Sequence, residues 1–292
     1  MYNMYNMDEY PAVNNIIAIG DIHGDYNLLI DLLKLNKLIN NQHIWIGGET
    51  FLVQVGDIFD RGGRDDTYND ENSEFKIINF LITLKKQAIN NNGNVILLIG
   101  NHELMNFQGV FDYVSKMGFN NFKSKNERKI FLKPGNSFCK KIAKYFKCIV
   151  KIGNIVFVHA GINTNISNKY NIKFINELMT KYLLGNLKTC DSKQFKELFL
   201  YNSSVLWYRG LGGTAVNCNN VDIILDNLNA KCIVIGHTQQ YNISYRCNKK
   251  VWRIDTGMSQ AFGKRNNKKL QTLEILDNGS KFKIHKFNLN LK

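Results

Sequence analysis

Residues 97–107 read LLIGNHELMNF. An apolar run ends at Ile99 and gives way at once to Gly100, Asn101, His102 and Glu103. A buried strand that stops in an amide, an imidazole and a carboxylate must present those groups to something. The same arrangement recurs along the chain. NIIAIGDIHGD (15–25), FLVQVGDIFDRG (51–62), NVILLIGNHE (94–103), NIVFVHAG (154–161) and AKCIVIGHT (230–238) are each short, rich in Ile and Val, and bounded by Gly. Such runs suit strands of a sheet covered on both faces.

Helical spacing fills the intervals. YNLLIDLLKLNKLI (26–39) follows Asp25, a natural N-cap, and SEFKIINFLITLKKQAI (73–89) opens on Ser73, a second candidate cap. Strand alternating with helix predicts an α/β architecture. The stretches 241–257 and 269–288 alternate as antiparallel strands do, and Asp277-Asn278-Gly279-Ser280 is a good hairpin turn, so a second sheet is expected. Neither repeats nor a Gly/Ser linker divide the chain, and a single catalytic domain over 16–292 is expected behind a frayed tail over 1–15.

Open α/β folds bind ligands at the carboxyl ends of their strands. The side chains collected there are Asp21, His23, Asp57, Asp60, Arg61, Asn101, His102, His159 and His237. Carboxylate, imidazole and amide oxygen suit divalent first-row metals such as Mn, Fe or Zn, and without a thiolate a structural zinc finger is not expected. Each residue alone has a bland explanation, as a turn cap or a core histidine. Together they are hard to obtain by chance: four of the six histidines fall at these ends, leaving His43 and His285 as structural or surface residues.

The bulk composition bounds the function. At 292 residues and 44% hydrophobic, the chain can bury a large core, and with 12% aromatics it is not a disordered composition. The net charge of +14 attracts polyanions, but the lysines are scattered and not interleaved with aromatics as in RNA-binding modules, so most of the excess reads as a solvated surface in an Asn-, Lys- and Ile-rich composition. Six cysteines form no C-x-x-C pair, and with no signal-like start the simplest expectation is a reduced, cytoplasmic protein. No apolar run is long enough to span a bilayer.

GDIHG, GDIFDRG, GNHE, HAG and GHT together resemble the five signature blocks of the calcineurin-like metallophosphoesterases. Asp-Arg-Gly in the second block is similar to the phosphoprotein phosphatase branch. GNHELMN, Arg128 ahead of FLKPGNSF, SSVLWYRG (203–210) and IDTGMS (254–259) resemble the bacterial-type Shewanella-like phosphatases. The similarity runs from about Ile16 to about Ser259. It implies a two-sheet β-sandwich flanked by helices and two divalent metals, manganese first and iron or zinc next. By the same resemblance Asp21, His23 and Asp57 hold one metal, and Asp57 bridges to a second on Asn101, His159 and His237. His102 is the general acid paired with Asp60, Arg61 clamps the phosphate with Asn101 beside it, and Arg209 is a second phosphate-binding arginine. A metal-bridging hydroxide would attack phosphorus directly.

Gly24, Gly62 and Gly100 are expected to let the backbone turn beside the site, Glu103 to hydrogen-bond behind the ligands, and Asp255 to serve a turn. A bland alternative for Arg61 is a surface pair with Asp65 or Asp66, and for Arg209 stacking on Trp207 or Tyr208. The third block departs from the Shewanella-like pattern, carrying Ala160 where two glycines are usual. The expected activity is a phosphomonoesterase acting on phosphoproteins, at Ser/Thr or Tyr. A dinucleoside polyphosphate or RNA-end phosphoesterase is the alternative, and a non-catalytic scaffold the remote one. Nucleic acid is thus the less favoured partner, no membrane is implied, and the oligomeric state is not legible.

Overall fold

A computed structural model describes residues 7–63, 69–264 and 270–287. The apolar runs become strands: β1 (Glu9–Tyr10), β2 (Asn15–Ile19), β3 (Phe51–Gln54), β4 (Asn94–Leu98), β5 (Phe146–Lys147), β6 (Ile149–Ile152), β7 (Ile155–Val158), β8 (Cys232–Ile235), β9 (Ser244–Arg246), β10 (Val251–Arg253), β11 (Leu270–Leu276) and β12 (Lys281–Phe287). They form two six-stranded sheets, one ordered β12-β11-β2-β3-β4-β5 and the other β1-β6-β7-β8-β10-β9. In the first, β2, β3, β4 and β5 run parallel, with the β11–β12 hairpin antiparallel at one side. In the second, β7, β8 and β10 are parallel.

Period-two alternation divides each strand between two cores. Ile16 and Ala18, Phe51 and Val53, and Ile96 and Leu98 face Val150, Phe157, Val234 and Trp252 between the sheets. Ile17 and Ile19, Leu52, Val95 and Leu97 face outward onto helices. Those helices include α1 (Tyr26–Leu35) and α2 (Glu74–Ile89), with α3 (Asn101–Gln108) following β4. The later helices are α4 (Lys125–Phe131), α5 (Ser137–Tyr145), α6 (Thr164–Lys169), α7 (Ile172–Leu183), α8 (Ser192–Phe195) and α9 (Cys218–Asn227). The expected two-sheet sandwich flanked by helices is therefore what the chain adopts. Apolar partners on both sides of each sheet are why its strands read as nearly continuous hydrophobic runs. Among the described residues no helix is long and apolar enough to cross a membrane.

Local expectations divide. Asp25 caps α1, its carboxylate accepting from Leu28 N at 3.1 Å. Ser73 does not cap α2; its hydroxyl donates to Gly24 O at 2.9 Å and so ties the helix entry to the GDIHG turn. The hairpin turn stands, with Asn278 and Gly279 both at positive φ. The expected frayed tail is corrected for the part described: Glu9 and Tyr10 pair with Lys151 and Ile152, and Tyr10 is buried with its ring edge-on to Phe51 at 5.7 Å. The uniformly reduced reading of the cysteines is corrected too. Cys218 at the start of α9 meets Cys247, in the turn between β9 and β10, with Cα atoms 5.3 Å apart and a disulfide between them. That proximity is tertiary and leaves no mark in spacing. Cys139, Cys148 and Cys232 are free and buried, as small hydrophobes.

One buried cation is unexpected. Lys85 on α2 is fully enclosed and donates to Asn94 Oδ1 and Val95 O, both at 2.8 Å. Burial, with Lys147 nearby, pulls its ammonium down from 10.5 to about 7. Between those pH values the unfolded chain holds the proton more tightly than the folded one, so folding stability should rise as pH rises from about 7 toward 10.5. Denaturant titrations of wild type and Lys85→Met across this range are expected to show a shallower rise in the variant.

Candidate active site

The carboxyl ends of β2, β3 and β4 meet those of β7 and β8 across the top of the sandwich. Backbone bonds join them: Ile22 N and His23 N donate to Asp57 O at 3.0 and 2.9 Å, and Gly236 N to His159 O at 2.7 Å. All nine strand-end residues collected from the sequence are buried here. Asp57 is at the centre. Its Oδ2 lies 3.3 Å from His159 Nε2, 3.9 Å from His23 Nε2 and 4.0 Å from His102 Nε2. Its Oδ1 accepts from His102 N at 3.0 Å, at the start of α3, where unpaired amides favour a carboxylate.

The ring orientations are set from behind. His159 Nδ1 donates to Val55 O and His23 Nδ1 to Phe59 O, both at 2.9 Å. A carbonyl only accepts, so each Nδ1 keeps its proton and each Nε2 faces Asp57, where losing its proton would free it to ligate a cation. His237 Nε2 is buried without a hydrogen-bond partner, and Asn101 Oδ1 is 2.9 Å from His159 Nε2. His237 N donates to both oxygens of Asp21, at 3.3 and 3.1 Å. Acceptors converging on one space are a donor set that divalent cations satisfy. Among the described residues, two groups have ligand atoms all within 4.8 Å of one another and could each hold an ion: Asp57, His159 and His237, and His23, Asp57 and His102. The second takes in His102, where the sequence reading has Asp21.

The electrostatics agree with such a centre. Burial alone would raise Asp57, but His159, then His102 and His23, outweigh it and hold the carboxyl well below its usual range. Burial first, then Asp255 and Asp57, push Asp21 well above it. Burial and the neighbouring His159 drop His237 to about 2, so that its imidazole is neutral and its lone pair available. A bound dication would reverse the balance at Asp21.

Around this centre, His102 Nδ1 donates to Asp60 Oδ2 at 2.6 Å. Arg61 is not a surface residue: it is 1% exposed and pairs through Nη1 with Asp25 at 3.0 Å. Asp65 and Asp66 lie outside the described residues. Arg209 is exposed and donates to His237 O at 3.2 Å, which sets it at the rim. Asp255 accepts from Gly257 N at 2.9 Å, the turn role expected. His43 and His285 are elsewhere, against Tyr26 and Glu274. Gly100 is required sterically, since a Cβ there would collide with Asp57 Oδ1. Sequence reasoning missed Tyr113 and Phe262, whose rings stand edge-on to His102 at 4.9 Å and His23 at 5.2 Å. No local signal marks either. It also left Asn106 without a role, although an asparagine one helical turn after His102 was a visible cue.

The profile of the calcineurin-like phosphoesterase family matches residues 15–241. The chain belongs to that family. It is 37% identical over 269 residues to Shewanella-like protein phosphatase 1 of Plasmodium berghei (strain Anka), covering 88% of this chain and 70% of the relative. It is 28% identical over 299 residues to Shewanella-like protein phosphatase 2 of Arabidopsis thaliana, covering 86% and 73%. Among solved structures, the cold-active protein-tyrosine phosphatase of a psychrophile Shewanella sp. aligns with a TM-score of 0.75 at 25% identity, over 96% of this chain and 82% of that one. Family and relatives together make the chain a phosphatase.

Stripping and restoring metal tests the centre. Mn²⁺ at about 1,000 times its dissociation constant is expected to stabilise the stripped protein by roughly 4 kcal/mol. Thermal melts should show that shift in wild type, little or none in Asp57→Asn, whose carboxylate belongs to both groups, and a reduced shift in His237→Ala, which belongs to one.

Proposed function

We propose that the chain is a dimetal phosphomonoesterase that dephosphorylates proteins at Ser/Thr or Tyr. The observation that carries this is the convergence of three histidine Nε2 atoms on Asp57 Oδ2, with one of those histidines backed by a second buried carboxylate, Asp60. Relatives named as protein phosphatases support the substrate class.

In this reading Asp21, His23 and Asp57 hold one cation, and Asp57, Asn101, His159 and His237 hold the other, with Mn²⁺ ahead of Fe²⁺ or Zn²⁺. A metal pair bound there would supply an activated water and offset phosphate charge. The chain supplies the rest. Arg61 and Arg209 offer guanidinium forks to the phosphoryl oxygens. Asp25 holds one edge of Arg61, while the carbonyl of His237 holds Arg209 at the rim. His102 gives its Nε2 proton to the departing alkoxide or phenolate oxygen, a contribution of roughly 10²–10⁴-fold. Asp60 keeps Nδ1 protonated and the ring aimed.

Assays with Mn²⁺ are expected to show turnover of p-nitrophenyl phosphate and of phosphoserine, phosphothreonine or phosphotyrosine peptides. Absence of turnover with metal demonstrably bound rejects the reading. Arg209→Ala should raise KM for a phosphopeptide by about tenfold, the worth of one charge-assisted contact near 1.4 kcal/mol, and leave the melting temperature unchanged because the residue is exposed.

A further inference from the structure

Behind His102 the buried polar contacts continue, and no step of the proposed reaction uses them. Asp60 gives Oδ2 to His102, while its Oδ1 accepts from Asn106 Nδ2 at 2.8 Å. The same Nδ2 donates to His102 O at 2.9 Å, so one amide nitrogen touches both members of the pair. Asn106 Oδ1 accepts from Arg128 Nη2 at 2.7 Å and from Nε at 3.2 Å. Arg128 Nη2 also meets Glu74 Oε2 at 2.8 Å, and Glu74 Oε1 accepts from Asp60 N at 2.8 Å. The contacts close a ring: backbone of Asp60, Glu74, Arg128, Asn106, carboxylate of Asp60.

The ring has only one hydrogen-bonding sense. A guanidinium donates and never accepts, so it fixes which end of the Asn106 amide faces it, and the NH₂ end must then face Asp60. Arg128, Asn106 and Asp60 are 0% exposed. Arg128 is also the single buried residue of α4. Its guanidinium carbon lies 5.5–5.8 Å from the rings of Phe59, Phe75, Phe111, Phe119 and Phe122. Such a cage would accept an apolar side chain, and a buried ion pair is seldom the most stable filling. What an apolar residue could not do is orient the amide.

We propose that Asn106 and Arg128 are positioning residues for proton donation. Arg128 locks the Asn106 amide, and that amide holds Asp60 where its second oxygen aims the His102 ring at the departing oxygen. The inference rests on His102 being the acid, as read above.

The test uses full-length protein with Mn²⁺ and two substrates, phenyl phosphate, whose leaving group needs a proton, and p-nitrophenyl phosphate, whose leaving group hardly does. Asn106→Asp keeps the acceptor for Arg128 and removes the donor to Asp60. It should lower kcat about 10–100-fold on phenyl phosphate, part of the full general-acid contribution, with KM within about twofold and a loss of at most about threefold on p-nitrophenyl phosphate. In a His102→Ala background the same change should cost nothing more. Arg128→Lys keeps the charge and loses the fork; it should show the same pattern more weakly, and it decides the matter by the same criteria if Asn106→Asp does not fold. Equal losses on both substrates, or a full loss persisting in the His102→Ala background, overturn the proposal. If His102→Ala alone loses equally on both substrates, the acid role falls and the inference falls with it. A crystal structure of Asn106→Asp separates the two failures: Asp60 still seated on His102 Nδ1 overturns the positioning role while leaving the acid role standing.

Discussion

The carboxylate of Glu103 ties the second and third signature turns into one rigid body. It accepts from Gly100 N and Ile58 N at 2.7 Å and from Asp57 N and Phe59 N at 2.9 Å. Four backbone donors on one buried side chain are charge-assisted and short, each worth more than a neutral bond in water. Burial, then the nearby Asp57, push Glu103 up to about 7, while Phe59 N and Gly100 N are among the donors that pull it back. This anchor fixes the backbone of Asp57 together with the start of α3, so losing it would loosen the contacts that converge on Asp57. A glutamate one residue after the proposed acid thus acts on the site entirely through the main chain.

The second constraint is the meeting of the two sheets. Val55 follows β3 in one sheet and His159 follows β7 in the other, and the bond from His159 Nδ1 to Val55 O spans the gap. The imidazole is therefore aligned by the sandwich itself. The early segment β1 closes one edge of the second sheet, so residues that look peripheral in sequence help hold that sheet together.

Much of this was legible because it is local. A short apolar run ending in Gly-Asp or Gly-Asn places its polar residue at a strand end whatever lies opposite, and each of the five ends appears where the chain suggests. The nine buried strand-end residues were all nameable in advance. What holds them was not. Tyr10 finds Ile152 far along the chain, Cys218 finds Cys247 across 29 residues, and Arg128 reaches Asn106 from a different helix. Periodicity reports which face of an element is buried, never which distant partner buries it. Ser73 illustrates the same limit at short range: a residue type suited to capping was drawn instead to the carbonyl of Gly24, supplied by another turn.

His23, Asp57, Asp60 and His237 all carry positive φ, at 44°, 56°, 72° and 62°. Side chains other than glycine pay roughly 1–2 kcal/mol in that region. Four such residues clustered at one site mean that the backbone beside it is held against its local preference in order to aim these side chains. Glycine at His23, Asp57 or Asp60 would relieve that strain but forfeit the side chain's buried hydrogen bonds, so the strained turns and the contacts they aim stand or fall together.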